Sequence, residues 1–192
     1  MTSDLGIQDG RVQHRAGEVL GFWFHQLTPD RHFANDPTLD RTIADRFGEW
    51  RDDVLASGAA AWRGDSDTLL AAILLLDQFS RNIHRDTPRA FEGDALALSL
   101  ARDAIAKGWD GGMADDRRAF LYMPFMHGED MGVQRESVRL FEALGNPDNL
   151  AFARDHAQVV ERFGRFPSRN AALDRDTTDA ERDYLNSRDA EW

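Results

Sequence analysis

Eight consecutive apolar residues, at positions 69–76, stand in a chain of 192 residues of which 30% are charged. The run is far shorter than the about 20 residues that cross a bilayer, so it indicates a buried helix instead. Asp67 is a suitable N-cap, and we predict a helix from there to about residue 84. Asp77 follows the run directly, and a carboxylate at the end of a buried stripe needs a charged partner or several hydrogen-bond donors.

Helical spacing recurs along the rest of the chain, and no stretch alternates apolar and polar residues as a strand does. We therefore predict an all-α fold of about eight helices, whose short connections favour antiparallel neighbours in a bundle or an array of helical hairpins. No linker rich in proline or glycine divides the chain, so residues 1–192 are predicted to form a single domain. The predicted helices cover residues 12–26, 37–55, 67–84, 92–107, 115–122 or beyond, 129–144 and 150–163, with a last helix from residue 178.

The balance of charge and the composition exclude several classes of protein. Asp and Glu number 34 against 23 Lys and Arg, and the net charge of −11 argues against a protein that coats nucleic acid. The absence of cysteine excludes disulfides, thiolate metal sites and cysteine nucleophiles. Residues 1–10 lack the basic start and the apolar core of a signal peptide. We expect a cytoplasmic protein that binds neither nucleic acid nor membrane.

The first polar motif follows the apolar run. In it Asp77, Arg81 and Arg85 recur at i, i+4 and i+8, and they share one face of the predicted helix. Two interpretations are open at this point. Asp77 and Arg81 could form an internal ion pair that fixes helix packing, or Arg81 or Arg85 could bind an anion in a polar pocket.

The second motif brings His127, Glu129 and Asp130 together in the sequence. Such a cluster could ligate a metal only with ligands from another element, for which His156 or Asp77 is a candidate. Glu129 and Asp130 also suit the first turn of a helix, whose dipole favours negative charge. For His127 we favour acid–base chemistry over metal ligation, and we predict no metal.

The third motif follows the helix on whose apolar face His156 lies, a position typical of a core histidine. It places Arg165 and Arg169 close to Ser168 and Asn170 in a loop just after that helix. Two guanidiniums beside hydroxyl and amide donors suit a phosphate or a carboxylate. They suit carboxylates within the protein equally well.

Three separated strings carry a resemblance to a known family. They are LLDQFSRN at residues 75–82, YMPFMHGED at residues 122–130 and RFGRFPSRN at residues 162–170. From about residue 19 to about residue 185 the chain resembles the bacterial family known as domain of unknown function 924. The resemblance implies an all-α fold similar to tetratricopeptide-repeat proteins, in which antiparallel helical hairpins form an array. It implies no established activity.

The chain departs from the pattern of that family at two positions. Ser168 stands where a His is usual between Pro and Arg, so any role of that His as a base or a ligand is lost. Asp174 stands where a Gly is usual before Arg175. The resemblance extends to the following polar residues: Asp77, Gln78, Arg81, Asn82, His127, Glu129, Asp130, Arg165, Arg169 and Asn170.

Two functions are compatible with these features. The first is a helical-repeat-like binding or scaffold protein with an unknown protein partner and a buried network of arginines and carboxylates. The alternative is a small-molecule site or an enzyme that acts on a phosphate- or carboxylate-bearing ligand. No nucleotide-binding loop, nucleophile elbow or zincin helix is present, so we predict no cofactor.

The two functions involve the same candidate residues. Exposed tryptophans could mediate a homodimer, although Trp23, Trp50, Trp62 and Trp109 fit core positions better.

The candidate catalytic residues are His127, Asp77 and Asp130, with His156 as a second proton-exchanging histidine. The candidate ligand-binding residues are Arg81, Asn82, Arg85, Arg165, Arg169 and Asn170.

Overall fold

A computed structural model describes the backbone of residues 2–187 and the side chains of residues 10–187. Within these residues the regular structure is helical and contains no strand, so the predicted all-α class is confirmed, whereas the tetratricopeptide-like repeat stays a prediction. None of the described helices is both long and apolar enough to cross a membrane. The helices are α1 (Thr2–Gly21), α2 (Pro37–Ala56), α3 (Ser66–Leu74), α4 (Ser80–Ile83), α5 (Asp94–Ala106), α6 (Asp115–Met126), α7 (Met131–Leu144), α8 (Pro147–Phe163) and α9 (Asp179–Ser187).

Helix ends are set by short polar side chains, as the sequence indicates, but one cap differs. The predicted N-cap Asp67 is wrong, because Oδ1 of Asp65 accepts hydrogen bonds from the backbone N–H groups of Asp67 and Thr68 at the start of α3. The Thr68 hydroxyl in turn accepts from the backbone N–H of Asp65, which completes a capping box. A second capping box, at the start of α9, is formed by reciprocal hydrogen bonds between Thr178 and Glu181.

The apolar run lies at the centre of the protein, and each side chain of residues 69–76 is completely buried. Helices α1, α5 and α6 pack against α3, and α2 packs against α4. The single helix predicted over residues 67–84 is divided, because a π-helical segment, Leu75–Phe79, separates α3 from α4. Such segments occur frequently at functional sites, and this one contains Asp77.

Aromatic side chains pack around the π-helical turn at the end of α1. Phe22 and Trp23 lie in the π-helical turn that follows α1, and the ring of Phe22 contacts that of Phe47 at a centroid distance of 5.1 Å. The ring of Trp23 stacks on His32 with centroids 4.5 Å apart. Trp23 and Trp62 are buried in this core, so neither is available to contact a second copy of the chain.

At Gly93, just before α5, the backbone lies very close to the π-helical segment Leu75–Phe79. A β-carbon at this position would lie 2.6 Å from the carbonyl oxygen of Leu76 and 3.2 Å from its Cβ. Only glycine allows the two backbones to come this near without displacement. The approach brings the next residue, Asp94, beside the helical segment that contains Asp77.

We predict that Gly93→Ala lowers the free energy of unfolding by about 1–3 kcal/mol, because the methyl group meets the backbone of a buried helix that cannot move alone. The matched control is Gly48→Ala inside α2, where an added β-carbon meets nothing within 4 Å. There alanine should stabilise the protein by about 0.5–1 kcal/mol. Urea unfolding followed by circular dichroism measures both effects, and two stabilising substitutions would contradict the close approach.

Candidate functional site

Asp77 is the centre of a polar cluster. Its side chain is completely buried, and its Oδ1 lies 2.6 Å from Nδ1 of His127 and 3.1 Å from Nη1 of Arg81. The side-chain amide of Gln78 donates a hydrogen bond to Oδ2. The carboxylate therefore has a charged partner and two further donors, which offset the cost of removing it from water.

The end of α6 places His127 in the cluster with 15% of its side chain exposed. Pro124 lies inside α6 but does not end the helix. The completely buried side chain of Gln134 in α7 fixes the following turn. Its amide donates hydrogen bonds to the carbonyl oxygens of Met126 and Gly128, at 2.8 and 2.7 Å.

Two arginines from different motifs approach the Asp77–His127 pair. Arg81 donates two parallel hydrogen bonds to the carboxylate of Asp94, at 2.9 and 3.0 Å. Arg169 donates to the same carboxylate at 3.3 Å and to the carbonyl oxygen of His127 at 3.0 Å. Asp94 thus bridges the two arginine side chains, which keep exposed fractions of 22% for Arg81 and 12% for Arg169.

The surrounding charges fix the protonation state of His127. Burial disfavours ionised Asp77, but His127 and Arg81 outweigh burial and hold the pKa of Asp77 below its ordinary value. Burial, together with the positive charge of Arg81, lowers the pKa of His127. A neutral His127 beside an ionised Asp77 carries its proton on Nδ1 and donates it to Oδ1. Its Nε2 is then unprotonated, and no group of residues 10–187 donates to it.

A second histidine lies next to the first, with the ring centroids of His127 and His156 6.3 Å apart. His156 is 7% exposed, so its predicted core position is confirmed. Its Nδ1 lies 2.8 Å from the carbonyl oxygen of Phe152, and the ring contacts Phe166 edge-on at 5.5 Å. Burial, and next the neighbouring His127, lowers the pKa of His156 to about 3. His156 is therefore neutral at physiological pH.

Two bidentate ion pairs hold the loop after α8. Glu129 accepts hydrogen bonds from Arg175 at 3.0 and 2.8 Å, and one of its oxygens also accepts from the backbone N–H of Phe166 at 2.8 Å. Arg165 donates to both carboxylate oxygens of Glu181, at 2.7 and 2.9 Å. These pairs tie the loop to α9 and to the turn before α7, and they fix its backbone beside the cluster.

The structure brings together four of the residues suggested by the sequence, Asp77, His127, Arg81 and Arg169, and His156 lies next to them. The other candidates bind elsewhere. Asn82 and Arg85 both donate to Asp40 of α2. Arg165 pairs with Glu181, Asp130 is the N-cap of α7, and Asn170 donates to a threonine in its own loop.

Three residues that complete the arrangement are missed by sequence reasoning, namely Asp94, Gln134 and Arg175. Asp94 follows Gly93 near the start of a helix, where an acidic residue has an ordinary structural explanation. Gln134 is, with Ser137, one of two polar residues on the buried face of α7, which is a weak signal. Nothing near Arg175 in the sequence marks it, since its partner Glu129 lies 46 residues earlier.

Among residues 10–187, one group of potential metal ligands occurs away from this cluster. An oxygen each of Asp52 and Glu92 and a ring nitrogen of His84 lie within 4.8 Å of one another. Arg51 and Arg89 both donate to each of these carboxylates. Two guanidiniums already balance the negative charge that would attract a cation.

Comparison with known proteins shows that most of the chain, including the residues of this cluster, matches a known family. A family model described as a bacterial protein of unknown function (DUF924) matches residues 19–189. The chain belongs to this family. It is also similar to the solved structure of a protein of unknown function from Agrobacterium tumefaciens, at 38% identity with a TM-score of 0.85, covering 90% of this chain and 97% of that chain. No curated protein matches the chain.

The two departures from the DUF924 pattern have different structural consequences. Asp174 has a φ of 52°, in the left-handed region that favours glycine, the residue that the resemblance leads us to expect there. Aspartate is among the few other residues that tolerate this conformation. Ser168 is exposed in the 3₁₀ turn Pro167–Arg169, directly before the arginine that reaches the cluster.

We predict that at about pH 7 His127 is neutral with its proton on Nδ1, because the ionised Asp77 accepts that proton while burial and Arg81 disfavour a second one. Two-bond ¹⁵N–¹H correlations of the histidine rings distinguish the two tautomers directly. The exposed His25 provides an internal reference in the same spectrum. A proton on Nε2 of His127 would show that the proposed pairing is wrong.

We predict that His156 makes the protein less stable as the pH falls. Its folded pKa of about 3 is below its ordinary 6.5, so the unfolded chain binds a proton first and stability is lost below about pH 6.5. Between about pH 7 and pH 4.5 this loss amounts to roughly 2–3 kcal/mol. Urea unfolding should show that His156→Gln removes this part of the pH dependence, whereas the exposed His25→Gln leaves it unchanged.

Proposed function

We propose that the polar cluster binds a small anionic molecule and that His127 exchanges a proton with it. The observation that carries the proposal is the pairing of the fully buried Asp77 with Nδ1 of His127 at 2.6 Å, beside Arg81 and Arg169. A carboxylate that orients a neutral imidazole, with guanidiniums next to it, is a common arrangement for general acid–base chemistry on a negatively charged substrate.

The arginines supply the binding part of this function. Arg81 and Arg169 come from two different motifs and share one carboxylate, so their positive ends converge. Both retain some exposure, which leaves them accessible to a ligand from solvent. Guanidinium groups bind carboxylates and phosphates through paired hydrogen bonds, and they stay charged at any physiological pH.

The histidine supplies the chemical part. With its proton on Nδ1, His127 offers the lone pair of Nε2 as a base, and its 15% exposure leaves it within reach of a bound molecule. When Nε2 accepts a proton, the imidazolium that forms is stabilised by the adjacent carboxylate of Asp77. Asp77 is therefore a positioning and charge-stabilising residue, and His127 is the proposed catalytic residue.

A second candidate function is a binding or scaffold protein in which the same residues serve only to hold the helices together. The observation that favours it is that Arg81, Arg85, Arg165 and Arg169 each have a carboxylate partner within the chain. Pairs of this kind fix the relative positions of helices without binding a ligand. In that case the partner is an unknown protein that contacts another surface.

Binding of anions distinguishes the two functions. We predict that phosphate monoesters or carboxylates at about ten times their Kd raise the Tm by about 3–6 °C. Arg169→Gln should abolish this rise, because it removes one of the two converging guanidiniums. Arg85→Gln is the matched control, since Arg85 forms a bidentate pair with Asp40 outside the cluster and its loss should leave the rise intact. Absence of any rise across such a panel would favour the scaffold function.

The role of His127 is tested by the protons taken up on binding. An anion held next to Nε2 raises the pKa of His127, so binding at a pH between the pKa of the free and of the bound protein should be accompanied by proton uptake. Calorimetric titration in buffers of different ionisation enthalpy measures the number of protons. His127→Gln should still bind the anion but without that uptake. Equal uptake by both proteins would exclude His127 as the proton acceptor.

A further inference from the structure

Asp94 occupies the place between the two arginines of the cluster. Its Oδ1 accepts from Nη1 of Arg81 at 2.9 Å, and its Oδ2 accepts from Nη2 of Arg81 at 3.0 Å and from Nη1 of Arg169 at 3.3 Å. This is the set of paired hydrogen bonds that an anionic ligand would form with the same guanidiniums. Any anion that binds there has to replace Asp94 as the acceptor of these hydrogen bonds.

Two guanidiniums share the single carboxylate of Asp94. Burial, and next the neighbouring Arg81, lowers the pKa of Arg169 to about 10. Asp77 contacts Arg81 but makes no hydrogen bond to Arg169. The two guanidiniums therefore repel each other across Asp94, and a ligand of higher charge would be more favourable between them.

The position of Asp94 in the fold allows its side chain to leave without unfolding anything. Asp94 is the first residue of α5 and its side chain is 20% exposed. Its backbone is held in place by the packing of Gly93 against Leu76. A carboxylate turned towards solvent at this point still benefits from the positive end of the helix dipole, so release of the side chain has a small cost.

We propose that Asp94 is a built-in competitor for the ligand site, which selects dianionic phosphate monoesters over monocarboxylates. The inference rests on the proposed function and names the class of its ligand. A monocarboxylate would form the same hydrogen bonds with the same single charge as the tethered Asp94, and it also loses translational freedom on binding, so it cannot displace Asp94 efficiently. A phosphate monoester carries about −1.5 to −2 charges and three acceptor oxygens, so it can bind both guanidiniums more strongly than one carboxylate does.

The experiment compares the affinities of inorganic phosphate and acetate for the full chain by isothermal titration calorimetry. Asp94→Asn keeps the size of the side chain but removes the competing charge. We expect it to lower the Kd for phosphate by about tenfold and to make acetate binding measurable, because the arginine pair is no longer occupied. Asp103→Asn is the matched control, since Asp103 lies on the same helix and pairs with Arg63 outside the cluster.

The outcomes separate this inference from the proposed function. Phosphate binding that is abolished by Arg169→Gln but not strengthened by Asp94→Asn would overturn the inference and leave the proposed function standing. No phosphate binding by either the wild type or Asp94→Asn would overturn both. Acetate that binds the wild type as tightly as phosphate would also overturn the proposed selectivity. Asp94→Ala serves as a second variant if Asp94→Asn does not fold.

Discussion

The buried carboxylate of Asp77 is the constraint from which the rest of the polar cluster follows. It directly continues a run of eight completely buried apolar residues, so it has no contact with water. Breaking a buried ion pair by removing one partner costs about 3–5 kcal/mol, which shows how strongly such a group demands its donors. Those donors come from α4 as Arg81 and from the end of α6 as His127. Satisfying this one charge therefore fixes how α3, α4 and α6 are arranged.

A second set of interactions connects Arg81, the partner of Asp77, to α5 and to the loop after α8. Arg81 pairs with Asp94, and the position of Asp94 depends on the close approach of Gly93 to the backbone of Leu76. Asp94 and the carbonyl oxygen of His127 then receive Arg169 from the loop after α8. Each of these hydrogen bonds joins segments that are distant in the sequence, so the cluster exists only when the helices are packed.

The charges of the central cluster balance at neutral pH. Arg81 and Arg169 are positive, Asp77 and Asp94 are negative, and burial keeps His127 and His156 neutral. If an anionic ligand replaces Asp94 between the arginines, the released side chain moves to solvent and the buried charge stays balanced. A proton on His127 can compensate any additional negative charge of the ligand. Binding and proton uptake are thus linked through one local balance of charge.

The acidic composition has a simple structural explanation in this framework. Carboxylates cap the helices at Asp65 and Asp130 and pair with most of the arginines that the motifs contribute. The net charge of −11 therefore describes the surface rather than the cluster. The anion site proposed for the cluster is therefore compatible with a chain that is acidic as a whole.

The sequence alone determined the helical class, most helix positions and the identity of the polar motifs. It could do so because helical periodicity and capping depend on residues within about four positions of one another. It also indicated that Asp77 needs charged partners, since burial of a carboxylate follows from the apolar run before it.

Only the tertiary structure decided which motif residues meet. Arg81, Arg85, Arg165 and Arg169 are chemically equivalent in the sequence, yet Arg81 and Arg169 reach the cluster while Arg85 and Arg165 bind Asp40 and Glu181. A guanidinium pairs with whichever carboxylate the packed helices bring within hydrogen-bond distance. For Arg169 that carboxylate is Asp94, 75 residues earlier. No local pattern encodes a separation of that length, because it is set by the packing of the helices.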